Sequence, residues 1–221
     1  MKREVRMEDI SDGKLYGPED MVRAGCGGCE GCSACCRGMG SSVILDPLDL
    51  YRLNSLGKVG MDELFSRYLE LQVEDGVILP HLKMGGEEEA CGFLDGNGRC
   101  LVHPFRPGLC RLFPLGRFYE NGSFRYFLQV NECRKSSRSK VKVKRFIDTP
   151  ELEKNEKYIS DWHYFLLEVQ EFINSGAGNG KAKEINVQLL KLFFLTPYGE
   201  DRDFYGQFYE RLSEGRRLIQ E

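Results

Sequence analysis

Short apolar runs broken by polar turns fill the first two-thirds of the chain, and apolar residues at helical spacing fill the last third. Val43-Ile44-Leu45 reads as a short strand. Asp46-Pro47 then marks a helix start, with Asp46 as N-cap and Pro47 at the first helical position. Leu48, Tyr51 and Leu56 supply its expected buried face, and Gly57 stops it. The spacing of Leu64, Phe65, Tyr68 and Leu69 predicts a second helix from Met61 to about Gln72. Asp75-Gly76 reads as a turn and Gly85 to Glu89 as an exposed loop. Farther on, Asp95-Gly96-Asn97-Gly98 and Asn121-Gly122 each separate two short apolar pieces, which predicts two hairpins.

Thr149-Pro150-Glu151 predicts the start of a long helix, with Thr149 as cap and acids in the first turn. Ile159, Trp162, Leu166, Val169 and Ile173 are its expected core face, and Gly176 its end. Ser175 to Gly180 reads as a glycine-rich link. Two further helices fit Lys183 to Leu195 and Asp203 to about Leu218, the last with Phe204, Phe208 and Leu212 on one side. The fold class expected is α+β: a small irregular cysteine-rich core with short hairpins, followed by a helical C-terminal part. The expected divisions are a polar, mobile segment over 1–25, a cysteine-cluster domain over 26–148, and a helical part over 149–221 packed on it.

Composition changes this picture little. The chain has 221 residues, a net charge of -3 and an ordinary apolar content, so one sizeable core is within reach. That charge does not favour nucleic acid or a membrane as bulk partner. No apolar run approaches a membrane span, and Met1 to Glu19 lacks the apolar segment of a secretory signal. A cytoplasmic protein with an unknown protein partner or substrate is expected. Lysines and arginines from Arg134 to Arg145 read as a solvated edge strand around Val141 and Val143, with the charges guarding the edge.

Nine cysteines change it decisively. Cys26, Cys29, Cys32, Cys35 and Cys36 lie within eleven residues, interleaved with Gly27, Gly28 and Gly31. Such thiolates are soft donors able to converge on one centre, and glycine supplies the positive φ that the knuckle needs. Cys29, Cys32, Cys35 and Cys36 give C-x2-C-x2-C-C. Cys26, Cys29, Cys32 and Cys36 give the ferredoxin-like C-x2-C-x2-C-x3-C, although Arg37 stands where that run has proline. The remaining cysteines, Cys91, Cys100, Cys110 and Cys133, each sit at the edge of an expected turn or short element. A disulfide framework suits short secreted chains; in a reducing compartment the same cluster points to metal.

The set Cys29-x2-Cys32-x2-Cys35-Cys36, Cys91-Gly92-Phe93-Leu94, Cys100 and Arg106-Pro107-x2-Cys110-Arg111-x-Phe113-Pro114 resembles the YkgJ-type cysteine-cluster family. The resemblance spans about residues 26 to 133. It implies a zinc- or iron-chelating domain related to the flagellin lysine N-methylases. By position it makes Cys29, Cys32, Cys35, Cys36, Cys91, Cys100 and Cys110 the family cysteines. Cys133 is an eighth, and Cys26 is extra to the pattern.

All nine cysteines are therefore candidate metal ligands. Arg106 and Arg111, flanking Cys110, are candidates to offset the charge of a thiolate site or to bind a cofactor. His103 reads as a turn cap in preference to a ligand. Cys35 and Cys36, as neighbours, are expected to point apart and to serve two centres, or one centre and the protein core. Cys29, Cys32, Cys36, Cys91, Cys100 and Cys110 are expected to meet in space. The cofactor expected is an iron–sulfur cluster, [4Fe–4S] by the ferredoxin-like register, or else zinc. No phosphate loop, dinucleotide fingerprint or nucleophile elbow is present, and no catalytic residue can be assigned. Two function classes remain open: a redox or methylase-like enzyme, and a non-catalytic zinc-stabilised module.

Overall fold

The structure, a computed structural model, describes residues 6–29, 32–135, 137–175 and 180–220. From Arg6 onward the segment expected to be mobile is tied to later chain; residues 1–5 lie outside the described residues. α1 (Met7–Ile10) is followed by bridges from Ser11 to Gln129 and from Tyr16 to Tyr126. β1 (Met21–Gly25) pairs antiparallel with residues 139–142, with a register shift between Val22 and Gly25. Only residues 139–142 of the basic stretch form the expected edge strand, for Val143 opens a helix and is fully buried; Lys142 and Lys144 both bond the Glu19 carboxylate.

α2 (Pro47–Tyr51) begins where the sequence puts it. Asp46 caps Asp49 N–H at 3.0 Å, and the Asp49 carboxylate returns a bond from Asp46 N–H at 3.1 Å. That reciprocal arrangement satisfies two backbone donors that a helix start leaves over. A π turn over Arg52–Leu56 follows. It puts Leu53 into the core and leaves Leu56 half exposed, against expectation.

The helix expected over 61–72 is shorter. α3 (Met61–Glu63) runs into a π turn over Leu64–Tyr68, after which the chain extends as β2 (Leu69–Glu74). β2 pairs with β3 (Val77–Leu82) in unbroken register from Leu69↔Leu82 to Glu74↔Val77. Tertiary pairing overrides a local helical spacing there. The hairpin turns are written in the sequence. Asp75 and Gly76 have φ of 50° and 90°, and Asn121 and Gly122 have 50° and 77°. Both pairs match the two-residue turn whose twist suits antiparallel strands.

β4 (Met84–Gly85) and β5 (Ala90–Cys91) pair on either side of the expected exposed loop, which becomes the connection of a small hairpin. α4 (Gly108–Leu112) precedes the long hairpin of β6 (Leu115–Glu120) and β7 (Ser123–Leu128). β8 (Ser139–Lys142), the partner of β1, leads into α5 (Val143–Ile147). The long helix then starts at Leu152 instead of Thr149. Asp148 and Glu151 are both left-handed, at φ of 47° and 49°, so the chain turns twice between the two helices. α6 (Leu152–Asn174), α7 (Ala182–Leu190) and α8 (Phe204–Leu218) complete the fold. Gly176, expected to close α6, lies outside the described residues, as does most of the glycine-rich link. No helix among the described residues is long and apolar enough to cross a membrane.

The larger core joins the first half of the chain, from Val43 on, to its last third. Leu45, Leu53 and Leu64 pack with Tyr158 and Phe165 of α6, Phe193, and Phe208 of α8. A smaller core collects Val22 and Ala24 of β1 with Leu112, Leu115, Tyr126 and Val143. At α6, Phe165 takes the fully buried position beside the half-buried Leu166.

His163, beside Trp162 on α6, stacks on Tyr119 of β6 with ring centroids 3.6 Å apart. Burial lowers it to about 4. Its folded value lies below the unfolded 6.5, so its contribution is full above pH 6.5 and is lost as pH falls towards 4. His163→Phe should therefore flatten that part of the acid dependence. Urea midpoints at pH 7 and pH 5 for both proteins measure it; equal pH dependence would count against the neutral, buried ring.

Candidate metal centre

Backbone pairing assembles the cysteines. Gly27–Cys29 and Ala34–Cys36 each make one 3-10 turn, and Cys29 sits at a φ of 60°. Gly27 adopts a φ of 64°, as a tight knuckle requires; Gly31 lies outside the described residues. After Cys36 the chain bridges β5: Arg37 pairs with Ala90, and Gly38 N–H bonds the Glu89 carbonyl at 3.0 Å. This carries Cys36 alongside Cys91.

The Cys91–Cys100 hairpin forms as its turn residues imply. Leu94 bridges Cys100, and the Asp95 carboxylate accepts from Asn97 and Arg99 N–H at 2.9 and 2.7 Å. Phe93 stacks on Tyr68 at 4.0 Å. A Cβ at Gly92 would meet that tyrosine ring at 3.0 Å, so the Cys-Gly-Phe order is a packing requirement here.

Cys110 is presented by α4, whose first N–H, from Gly108, bonds the Asp49 carboxylate at 2.7 Å. Asp49 therefore caps its own helix and anchors the one carrying Cys110. Tyr158 of α6 donates to Asp46 at 3.0 Å and accepts from Leu48 N–H at 3.0 Å, completing the buried support. Burial, then the neighbouring Asp46 carboxylate, raises Asp49 to about 8. The Asp46 cap was legible in the sequence. The second role of Asp49 was not, because its partner Gly108 lies 59 positions away.

One cavity receives Cys29, Cys32, Cys35, Cys36, Cys91, Cys100 and Cys110. The six expected to meet are all there, with Cys35 in addition. Cys35 and Cys36 do not part to separate surroundings: both border this cavity. A 3-10 turn has three residues per revolution, so neighbours on it can flank the same space. Cys26 does not line the cavity, but its Sγ lies 3.2 Å from that of Cys29. Cys133 is not among the lining residues either.

The remaining wall divides in two. Val43, Leu82, Met84, Phe93, Val102 and Phe113 make it apolar, while Arg99, His103 and Arg106 make it cationic or neutral. Among the described residues, no carboxylate lines it. Arg106 donates towards His103 Nε2 at 3.0 Å, and its own Nε is buried without a hydrogen-bond partner among the described residues. Arg111 does not line the cavity; its guanidinium bonds the carbonyls of Asp148 and Pro104 at 3.0 and 2.6 Å. The expected pair of arginines thus splits, one facing the thiols and one bracing the loop. His103 is not the cap of its turn, since Val102 holds that position without a side-chain bond; His103 is the first residue of the turn over His103–Phe105 and lines the cavity.

Five of the cavity thiols resist ionisation. Burial pushes Cys29 up to about 12, with the Cys26 thiol adding to it. The Cys36 thiol, then burial, raises Cys35. Burial dominates the rise at Cys91, Cys100 and Cys110, and the charge of Cys35 adds to it at all three. Arg106 opposes the rise at Cys29, Cys35 and Cys100. Buried, crowded thiols that repel one another as thiolates are stabilised by a cation among them. The donor chemistry and the unpartnered Arg106 nitrogen fit a thiolate-bound metal centre. Among the described residues, no three His, Cys, Asp or Glu side chains are already arranged to hold an ion, so the thiols border a common space without converging on a point.

Comparison with protein-family models matches residues 28–142 to CxxCxxCC, a domain described as zinc- or iron-chelating. No curated protein and no solved structure matches the chain.

Proposed function

The chain belongs to the CxxCxxCC family, and from that premise we propose that its cysteine cavity holds an iron–sulfur centre. The observation that carries the reading is the wall itself: seven thiols from distant parts of the chain, with no carboxylate among its described residues. Hard cations such as Ca²⁺ and Mg²⁺ seek oxygen donors, whereas zinc and iron–sulfur clusters take thiolate. Between those two, the supply of thiols beyond one four-coordinate zinc site and the apolar half of the wall favour a cluster. Such a centre would supply electron transfer, or one-electron activation in a methylase-like reaction.

Within this reading the chain's own residues have distinct tasks. Cys29, Cys32, Cys35, Cys36, Cys91, Cys100 and Cys110 are the ligand pool. Arg106 offsets thiolate charge, Asp49 holds the helix of Cys110, and the apolar wall limits water.

A second reading has one observation of its own. Cys26, 3.2 Å from Cys29, would make an eighth thiol, enough for two four-thiolate zinc sites in a structural module. Metal analysis with a visible spectrum on protein purified without oxygen decides between them. Brown protein containing iron and acid-labile sulfide is expected. Colourless protein with two zinc ions per chain would replace the cluster by the zinc module.

A further inference from the structure

Cys26 is the cysteine that the ligand pool leaves over. It lies outside the matched residues and does not line the cavity. It is not isolated, because its Sγ stands 3.2 Å from that of Cys29, a cavity thiol. The 3-10 turn over Gly27–Cys29 makes the approach, with Gly27 and Cys29 both at positive φ. A disulfide needs its sulfurs at about 2.05 Å, a closure of about 1 Å from here. Both thiols are half-buried, within reach of a small oxidant.

We propose that Cys26 and Cys29 form a redox pair, and that closing their disulfide withdraws Cys29 from the metal centre. The oxidant class is a low-molecular-weight disulfide such as oxidised glutathione. The thiolate of one cysteine attacks it, forming a protein–glutathione mixed disulfide and releasing one glutathione thiolate. The second cysteine's sulfur then attacks the protein sulfur of that mixed disulfide and releases the second glutathione. In total the protein dithiol is oxidised by two electrons, one glutathione disulfide is reduced to two thiols, and the two protons pass to them. Cys26 acts as the resolving partner: without it the second step lacks its nearest thiol.

The metal consequence rests on Cys29 being a ligand, as proposed above; the disulfide itself does not. The test therefore has separate readouts on the full chain. Protein as purified is treated with oxidised glutathione, alkylated, and mapped by fragment-ion mass spectrometry, while released metal is measured in parallel. The expected result is an internal disulfide localised to Cys26 and Cys29, with metal released at least several-fold faster than from Cys26→Ser. The untreated Cys26→Ser protein should keep the wild-type metal content, and Cys29→Ser should not. A disulfide placed elsewhere in the cluster overturns the pair. Metal loss in untreated Cys26→Ser equal to that in Cys29→Ser makes Cys26 a ligand and overturns the withdrawal. Protein that carries no metal but still closes Cys26 to Cys29 would instead sink the metal reading and leave the redox pair standing.

Discussion

Cys35→Ser should weaken metal retention more than any other single change in the cluster, by about 100-fold or more, or about 3 kcal/mol. Cys35 lines the cavity with Cys36 beside it, and as a thiolate it would repel Cys29, Cys91, Cys100 and Cys110. Serine keeps the volume and removes the soft donor. The loss should be visible as reduced metal per chain and, for an iron–sulfur centre, as reduced visible absorbance. Structural thiolate sites contribute on the order of 10 kcal/mol to folding, so the variant should also melt earlier. Cys133→Ser is the internal comparison, because Cys133 does not line the cavity. Equal metal loss in both variants would remove Cys35 from the centre of the site.

Phe208→Ala should do the opposite, unfolding the protein readily while leaving its metal stoichiometry intact. Phe208 is fully buried on α8 and meets Tyr158 at 4.5 Å, with Trp162, Phe193 and Phe204 close by. Removing a large buried ring costs about 3–5 kcal/mol through lost burial and the cavity it leaves. The denaturant midpoint of the purified protein reads the cost. Because Tyr158 also supports Asp46 and the start of α2, the loss should extend into the first half of the chain. Metal loss matching that of Cys35→Ser would mean that core and centre form one cooperative unit.

Much of this was legible in sequence because its causes are local. The Asp46-Pro47 start, the Asp75-Gly76 and Asn121-Gly122 turns, and the Phe204, Phe208, Leu212 face each depend on residues within a turn or two of one another. The soft-donor chemistry was equally plain, since five cysteines in eleven residues have few other uses.

Other features depended on partners far along the chain. Leu69 to Glu74 carried helical spacing but pairs as a strand with Val77 to Leu82, since an unbroken ladder outweighs a weak local preference. The leading segment looked polar and loose, yet β1 finds β8 across more than a hundred positions. At the centre, sequence supplied the donors and the tertiary structure sorted them. The Arg37–Ala90 bridge brought Cys36 to Cys91, and the Asp49–Gly108 bond placed Cys110. One 3-10 turn aimed Cys35 and Cys36 into the same space, while Cys26 was left against Cys29 outside it. Spacing along a chain fixes which groups are available. Long-range backbone pairing fixes which of them share a cavity, because that pairing sets the positions from which side chains reach.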